Sequence, residues 1–339
     1  MVYKTKVTVL SVIIAGLAVV YAGSLVFDPD RVSARDAAYA WLEAKSVPLV
    51  DGIELKSANG VVTLAQKNAA WFVSVDGRDY PAKEQRVEDF LNLLSKKDSY
   101  PVRGVEAASH ERLGLSEDSA ARITARGGMT TLLDLLVGDT DASGAEAYLR
   151  KAGKNETRSG SLSISNYVSS AKTAWYNLRL FPETGSLTVD SVQRMIVTLP
   201  PADDAESDSP DDSADGIAGT SSAVPSVPVT LTFSRANGGW TVNGQEADTP
   251  KVDAYVRAIL DAEGDDFVTD AGDATADPMS FNEGRIVLEL GDGTSRVIGV
   301  GAKLDSNKRN ASVSGSPYAY SLADWVVERL FRAEPEFRK

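Results

Sequence analysis

A single histidine is the side chain in this 339-residue chain best suited to acid–base or metal chemistry at neutral pH. His110 lies beside Glu111 and Arg112 in a short polar stretch, and the chain contains no cysteine. A metal site or a hydrolytic triad needs a second reactive group, and the sequence supplies none that pairs with His110. We therefore interpret His110 as a surface or half-buried residue. We predict no catalytic, cofactor-binding or metal-binding residues.

Carboxylates are concentrated in two runs that lack basic residues. Seven lie between Asp203 and Asp215, and seven lie between Asp261 and Asp277. The residues from Asp211 imitate the start of a calcium loop, but the twelfth position is Ser222, where a bidentate glutamate is required. We interpret the first run as part of a disordered acidic insertion over residues 200–228, and the second run as a solvated loop.

The composition limits both the architecture and the partners. The chain is 43% hydrophobic and 24% charged, which is typical of a folded protein, and its formal net charge is -13. This charge would repel nucleic acid and anionic membrane surfaces, so we predict no nucleic-acid partner. A chain of 339 residues is too long for one ordinary core and suits two domains.

The N-terminus carries the clearest functional signal. Residues 7–27 contain no charged side chain and, as a helix of about 31 Å, could cross the hydrocarbon core of a bilayer. Two lysines precede this segment, so residues 1–6 are expected in the cytoplasm and the bulk of the chain beyond the inner (cytoplasmic) membrane. The alternative is a signal peptide cleaved after Ala22. Because the apolar run continues to Phe27, we favour a single-pass transmembrane anchor.

The rest of the chain contains one pattern twice. A tryptophan in an alternating apolar run is followed by a tight turn, a proline and four apolar residues at helical spacing. The four apolar positions correspond between the copies at a constant separation, which indicates an internal duplication. The copies read Trp71, Asp76-Gly77, Pro81, Val87, Phe90, Leu91 and Leu94, and then Trp240, Asn243-Gly244, Pro250, Val252, Tyr255, Val256 and Ile259.

This duplication predicts an α+β protein with two tandem repeats, each an antiparallel sheet covered by helices, after the transmembrane helix. Hairpin turns are expected at Asn59-Gly60, Gly127-Gly128 and Asp292-Gly293, which separate strand-like runs. We predict the first repeat over residues 36–182 and the second over residues 186–331.

Local signals also predict how the helices begin and where the tryptophans lie. Pro81 is expected to open the first long helix, Thr249 to cap its counterpart, and Ser321 to cap the final helix. A short helix is expected over residues 36–45. All five tryptophans, including Trp325, are interpreted as packing residues of the core.

The order of these elements continues after the first long helix. The Trp71 strand and the helix after Pro81 are followed by His110–Leu115, which contains a Gly-Leu step, and by a strand that ends at Val137-Gly138. This order resembles bacterial envelope proteins classed as the domain of unknown function 4340 family. In that family the Gly-Leu step and the strand with a glycine ending are the recurring marks.

The resemblance covers most of residues 50–180 and, less closely, residues 190–331, where Phe281-Asn282 stands near the place of the Gly-Leu step. It implies an accessory role beside ABC-type transport systems of the gliding-motility kind, and the family has no established catalytic residues. We therefore predict a membrane-anchored extracytoplasmic binding or scaffold protein, not an enzyme, whose partner is an envelope protein such as an ABC transporter component. The alternative is a hydrolase that acts on envelope polymers through a cleft between the repeats.

Overall fold

A computed structural model describes most of the chain after the N-terminal segment. The chain divides into two compact units, Met1–Tyr176 and Asn177–Lys339. The predicted boundary, between residues 182 and 186, falls a few residues after this division. The described residues are 17, 21, 38–182, 187–200, 228–236, 238–268, 281, 283–304 and 307–339.

Two predicted segments lie largely outside the described residues. They are the membrane anchor over residues 7–27, of which only Leu17 and Tyr21 are described, and the acidic insertion over residues 200–228. Among the helices that the structure describes, none is long and apolar enough to cross a bilayer. Both segments therefore stay predictions.

The first unit is built from short antiparallel strands and two α-helices. Its strands are β1 (Ala38–Tyr39), β2 (Gly52–Ser57), β3 (Gly60–Lys67), β4 (Ala70–Val75), β5 (Arg78–Pro81), β6 (Asp98–Ser99), β7 (Val102–Gly104), β8 (Ala121–Gly127), β9 (Thr130–Thr140), β10 (Glu146–Lys151) and β11 (Thr157–Ser161). Its helices are α1 (Glu84–Ser95) and α2 (Ser163–Val168), with 3-10 helices at Ala44–Leu49, Ala107–Ser109, Glu111–Leu113 and Lys172–Trp175. Nine strands form one sheet in the order β5-β4-β3-β2-β8-β9-β10-β11-β7, and β1 pairs with β6.

Tight turns and alternating burial explain the start of this sheet. Asp76-Gly77 joins β4 to β5, as predicted. The turn between β2 and β3 lies one residue earlier than predicted, at Ala58-Asn59, because Gly60 already belongs to β3 and pairs with Ser57. Asp76 and Gly77 both have positive φ, the conformation that the two central residues of such a turn need. Alternate residues such as Trp71 and Val73 are buried on one face. The buried stripe of α1 consists of Val87, Phe90, Leu91 and Leu94, as predicted.

The second unit has the same kinds of element. Its strands are β12 (Val192–Thr198), β13 (Thr230–Ala236), β14 (Gly239–Val242), β15 (Gln245–Glu246), β16 (Asp266–Phe267), β17 (Gly284–Leu290), β18 (Ser295–Lys303), β19 (Lys308–Val313) and β20 (Ala319–Ala323). Its helices are α3 (Thr249–Leu260) and α4 (Asp324–Leu330), with 3-10 helices at Val189–Ser191 and Glu334–Phe337. The strands form one antiparallel sheet in the order β15-β14-β13-β12-β17-β18-β19-β20-β16.

The two sheets have the same strand order. Replacing β2, β3, β4 and β5 by β12, β13, β14 and β15, and continuing through the remaining pairs, converts one sheet into the other. The helices occupy the same places in the chain, since α1 and α3 follow the edge strand, and α2 and α4 follow the last strand. Both units are therefore antiparallel α+β folds of one topology, which supports the predicted duplication.

Near its end, each unit has an aromatic residue that packs against its long helix. The Trp175 ring lies 5.7 Å from the Phe90 ring of α1, and the Phe337 ring lies 4.9 Å from the Tyr255 ring of α3. Trp175 is 0% exposed and Phe337 is 1% exposed. We call residues 172–176 and 334–338 the closing segments.

The closing segments also form matching backbone hydrogen bonds. The Lys83 N–H donates to the Trp175 carbonyl at 2.8 Å, and the Asp248 N–H donates to the Phe337 carbonyl at 2.9 Å. In each unit these bonds join the start of the long helix to the end of the unit. The packed structure of the second unit therefore extends past residue 331, the end predicted for the second repeat.

The predicted starts of the long helices were wrong. Pro81 lies in β5, an edge strand, where the missing N–H of proline is tolerated, and α1 begins at Glu84. Asp248 caps α3, because its carboxylate accepts a hydrogen bond from the Lys251 N–H at 3.2 Å. The Thr249 hydroxyl instead accepts from the Trp240 N–H.

Two shorter helix predictions were also wrong, because strand pairing extends further than expected. Ser321 lies in β20, where it pairs with Asn310 and Asp266, so α4 begins three residues later at Asp324. In place of a helix over residues 36–45, β1 pairs with β6 and a 3-10 helix begins at Ala44.

Candidate functional site

His110 makes a local contact between two loops. Its Nε2 atom lies 3.0 Å from the carbonyl oxygen of Asn155, and the side chain is half-buried. Across the part of the chain that the structure describes, no group of three or more histidine, cysteine, aspartate or glutamate residues is arranged to hold a metal ion. The calcium-like run from Asp211 lies outside that part.

The residues that carry the family resemblance contact one another in the first unit. A Cβ atom at Gly138 would overlap the Leu113 carbonyl oxygen and lie 2.8 Å from the Leu115 side chain. Gly114 has φ 68°, in the left-handed region that glycine favours. The buried Arg150 guanidinium donates to the Leu115 carbonyl at 2.7 Å and holds this turn against the sheet. The Gly-Leu step and the glycine-ended strand therefore form one packing contact.

The second unit forms an analogous contact with a different residue. A Cβ atom at Gly301 would lie 3.1 Å from the Phe281 ring. Phe281 thus packs on the glycine of β18 as Leu115 packs on Gly138. Phe281 therefore occupies the place of the Gly-Leu step in the second unit, as the sequence indicates. Asn282 itself lies outside the described residues.

The second acidic run is more ordered than a solvated loop. Asp266 lies in β16, and the Leu180 N–H donates to the Ala262 carbonyl, while the Gly264 N–H donates to the Leu178 carbonyl. The loop prediction was therefore wrong for residues 261–268, because this backbone pairs with the first residues of the second unit and with β20. The later part of the run lies outside the described residues.

A cleft of about 210 Å³ lies in the second unit beside this acidic segment. It is formed by the end of α3, the residues that follow α3, and α4. Its apolar floor consists of Ala258, Ala262, Val326 and Leu330, and its rim consists of Asp261, Glu263, Trp325 and Arg329.

Trp325 distinguishes this cleft from the rest of the molecule. It is 61% exposed, whereas the other four tryptophans are buried as predicted. The core prediction for Trp325 was wrong because α4 turns Val326, Val327 and Leu330 inwards, which leaves Trp325 on the outer side. An exposed indole ring offers a large, rigid apolar surface with a polar N–H group, which is a common contact at protein interfaces.

Two charged groups at the rim have no partner within the described residues. The carboxylate of Asp261 and the guanidinium of Arg329 form neither an ion pair nor a hydrogen bond there, and both residues are exposed. Glu263, by contrast, lies 3.6 Å from Arg179 in an ion pair. The cleft therefore offers one unpaired anion, one unpaired cation and an exposed indole ring.

A buried hydroxyl group joins the two helices that form the cleft. Tyr255 in α3 donates a hydrogen bond to the carbonyl oxygen of Leu330, the last residue of α4, at 2.5 Å. Burial raises the pKa of the Tyr255 hydroxyl far above its ordinary value, so the group stays protonated and remains a donor. The corresponding residue in α1 is Phe90, which has no hydroxyl. This link between the helices is therefore specific to the second unit.

The first unit has different side chains at the corresponding positions. Positions in α4 are matched to the first unit by aligning Trp175 with Phe337, and Asp261 is matched by aligning the apolar stripes of α1 and α3. Ser163, Lys96 and Tyr167 occupy the places of Trp325, Asp261 and Arg329. Tyr167 packs on Phe90, with ring centroids 5.0 Å apart, and is half-buried. The exposed ring and the combination of Asp261 with Arg329 thus belong to the second copy. A position-by-position comparison of the copies would have shown that these three residues differ between them.

The arrangement is suited to binding. An apolar floor with an exposed aromatic ring can hold an apolar group, and unpaired charges at the rim can select its neighbours. This site was not predicted from the sequence, because Trp325 was assigned to the buried apolar stripe of the final helix.

Comparisons with known proteins agree with the resemblance described above. No curated protein and no solved structure matches this chain. A family model described as domain of unknown function (DUF4340) matches residues 71–282. The match runs from the first unit into the second and includes the contact between the Gly-Leu step and Gly138. Because it spans more than half of the chain, the protein belongs to the DUF4340 family.

Proposed function

We propose that this protein is a membrane-anchored binding or scaffold protein of the cell envelope, and that it holds a partner protein at the cleft between α3 and α4. The observation that carries the proposal is Trp325, which is 61% exposed on a helix that buries its other large apolar residues. Tryptophan and arginine are enriched among the residues that dominate the binding energy of protein interfaces. Trp325 and Arg329 would form the centre of the contact.

The proposed location follows from the N-terminal segment. If residues 7–27 cross the inner membrane with the preceding lysines in the cytoplasm, the cleft lies outside the cytoplasm, within reach of other envelope proteins. The family resemblance supports an ABC-type transport system as the source of the partner. The net charge of -13 favours a protein partner over nucleic acid.

A photocrosslinking experiment in membranes tests the proposal. The full chain is expressed in its native host with benzoylphenylalanine at position 325, which preserves an aromatic ring, and intact cells are irradiated. We expect a discrete adduct with one envelope protein, identified by mass spectrometry. A matched variant carries the same photoreactive residue at Met129, which is fully exposed in the first unit.

The control defines the result that would contradict the proposal. Position 129 samples random collisions with neighbouring proteins, because Met129 lies in a hairpin turn with its side chain fully exposed. Identical adducts from both positions, or none from position 325, would show that the cleft does not hold a partner.

A further inference from the structure

The size of the cleft indicates how much of a partner it can accept. Pockets for drug-sized ligands measure about 300 to 1,000 Å³, whereas this cleft measures about 210 Å³. It therefore suits one side chain of a partner better than a whole small molecule. Because the floor is apolar and Trp325 adds an exposed ring, that side chain should also be apolar.

The charges at the rim indicate what should lie beside that side chain. Asp261 and Arg329 have no ion-pair partner within the described residues, and Glu263 is already paired with Arg179. A basic group on the partner would be attracted to Asp261, and an acidic group would be attracted to Arg329. A partner without the basic group would leave Asp261 desolvated and unpaired, and a partner without the acidic group would do the same to Arg329.

We infer that the cleft recognises a peptide segment of the partner protein in which an apolar side chain has a basic residue and an acidic residue close to it. The apolar side chain lies against Trp325 and the floor, the basic residue pairs with Asp261, and the acidic residue pairs with Arg329. This inference rests on the proposed function and adds the chemistry of the segment that is bound.

The first unit supplies replacements that the same fold already accepts. Ser163 stands at the position of Trp325, and Lys96 stands at the position of Asp261. Trp325→Ser therefore removes the ring, and Asp261→Lys reverses the charge. All of these positions are exposed, so neither substitution opens a cavity in the core.

Peptide selection on the full chain tests this inference. The detergent-solubilised protein is used to select binders from a phage library of short random peptides, and the Trp325→Ser variant is used in a parallel selection. We expect the enriched peptides to share an apolar residue with basic and acidic neighbours. We expect them to bind Trp325→Ser about tenfold more weakly or worse, as for an interface residue of this kind. Asp261→Lys should abolish the preference for a basic neighbour and keep the preference for the apolar residue.

The outcomes separate this inference from the proposed function. Peptides that need Trp325 but show no charge preference, or an unchanged preference with Asp261→Lys, would overturn the inference and leave binding at the cleft intact. Peptides that bind wild type and Trp325→Ser equally, or no enrichment at all, would remove the cleft as a peptide site. If phosphatidylglycerol vesicles instead shield Trp325 from a fluorescence quencher, the cleft faces a lipid surface and the inference is wrong.

Discussion

At Gly138 the backbone of β9 passes so close to the Leu113 carbonyl that no side chain fits between them. We predict that Gly138→Ala lowers the free energy of unfolding by about 3 kcal/mol, because the added methyl group must displace backbone or Leu115. Chemical denaturation measures this change. Gly52→Ala is the matched control in the same sheet, because its added Cβ would have its nearest neighbour 3.9 Å away. Equal losses for both variants would contradict the close contact.

The Tyr255 hydroxyl is the residue-scale feature that holds the walls of the cleft together. We predict that Tyr255→Phe lowers the free energy of unfolding by about 1 to 3 kcal/mol, because the Leu330 carbonyl loses its buried donor. Thermal unfolding at neutral pH measures the loss. Tyr148→Phe in the first unit serves as the control, since that half-buried hydroxyl has no hydrogen-bond partner within the described residues. A Tyr255→Phe variant as stable as wild type would argue against this link.

The same hydroxyl predicts a dependence on alkaline pH. Burial raises the pKa of Tyr255 in the folded protein, whereas the unfolded chain titrates near the ordinary value of about 10. Below that pH both states keep the proton, and stability does not change. As the pH rises above about 10, the unfolded state loses its proton first, so stability falls. Tyr255→Phe should reduce this fall without abolishing it, because burial also raises the pKa values of Tyr100 and Tyr320.

At the scale of elements, the closing segment over residues 334–338 contributes a buried ring to the core of the second unit. We predict that a chain ending at residue 331 loses about 3 to 5 kcal/mol in the second unit, because the truncation removes the buried Phe337 ring. It also removes the hydrogen bond from the Asp248 N–H to the Phe337 carbonyl. Scanning calorimetry of the truncated and full chains measures the difference.

Deletion of Lys339 alone is the matched control for this truncation. Lys339 forms an exposed ion pair with Glu246, and exposed pairs of this kind contribute little to stability. We therefore expect the single deletion to unfold like the full chain. If the chain ending at residue 331 did so too, Phe337 would not be part of the core that stabilises the second unit.

The elements also show which local signals were reliable. The apolar stripes of α1 and α3 are buried as predicted, because residues at helical spacing necessarily share one face. The capping predictions failed because caps compete with neighbouring partners. Thr249 bonds to Trp240 and leaves the cap to Asp248, and Ser321 stays in the β20 ladder. Which of these partners a hydroxyl group bonds to depends on which other strand or helix packs beside it.

At the scale of the whole molecule, the N-terminal segment is expected to decide where the two units act. We predict that the full chain remains in the membrane pellet after an alkaline carbonate wash, because residues 7–27 form an apolar run long enough to span a bilayer. A chain without residues 1–27 should appear in the soluble fraction. N-terminal sequencing separates the two readings of this segment, since a mature protein that begins at Gly23 would identify a cleaved signal peptide.

The sequence by itself determined the repeated architecture, because hairpin turns and helical stripes depend on residues close together in the chain. Asp76-Gly77 selects its turn through backbone sterics, and the duplicated pattern predicted two antiparallel sheets with helices. The tertiary structure decided what depends on distant neighbours. Trp325 is exposed because α4 packs through its other face. Phe337 packs in the core of the second unit, although the sequence pattern predicted that the repeat ends at residue 331. Burial is settled by the packing of remote segments, which no local spacing specifies.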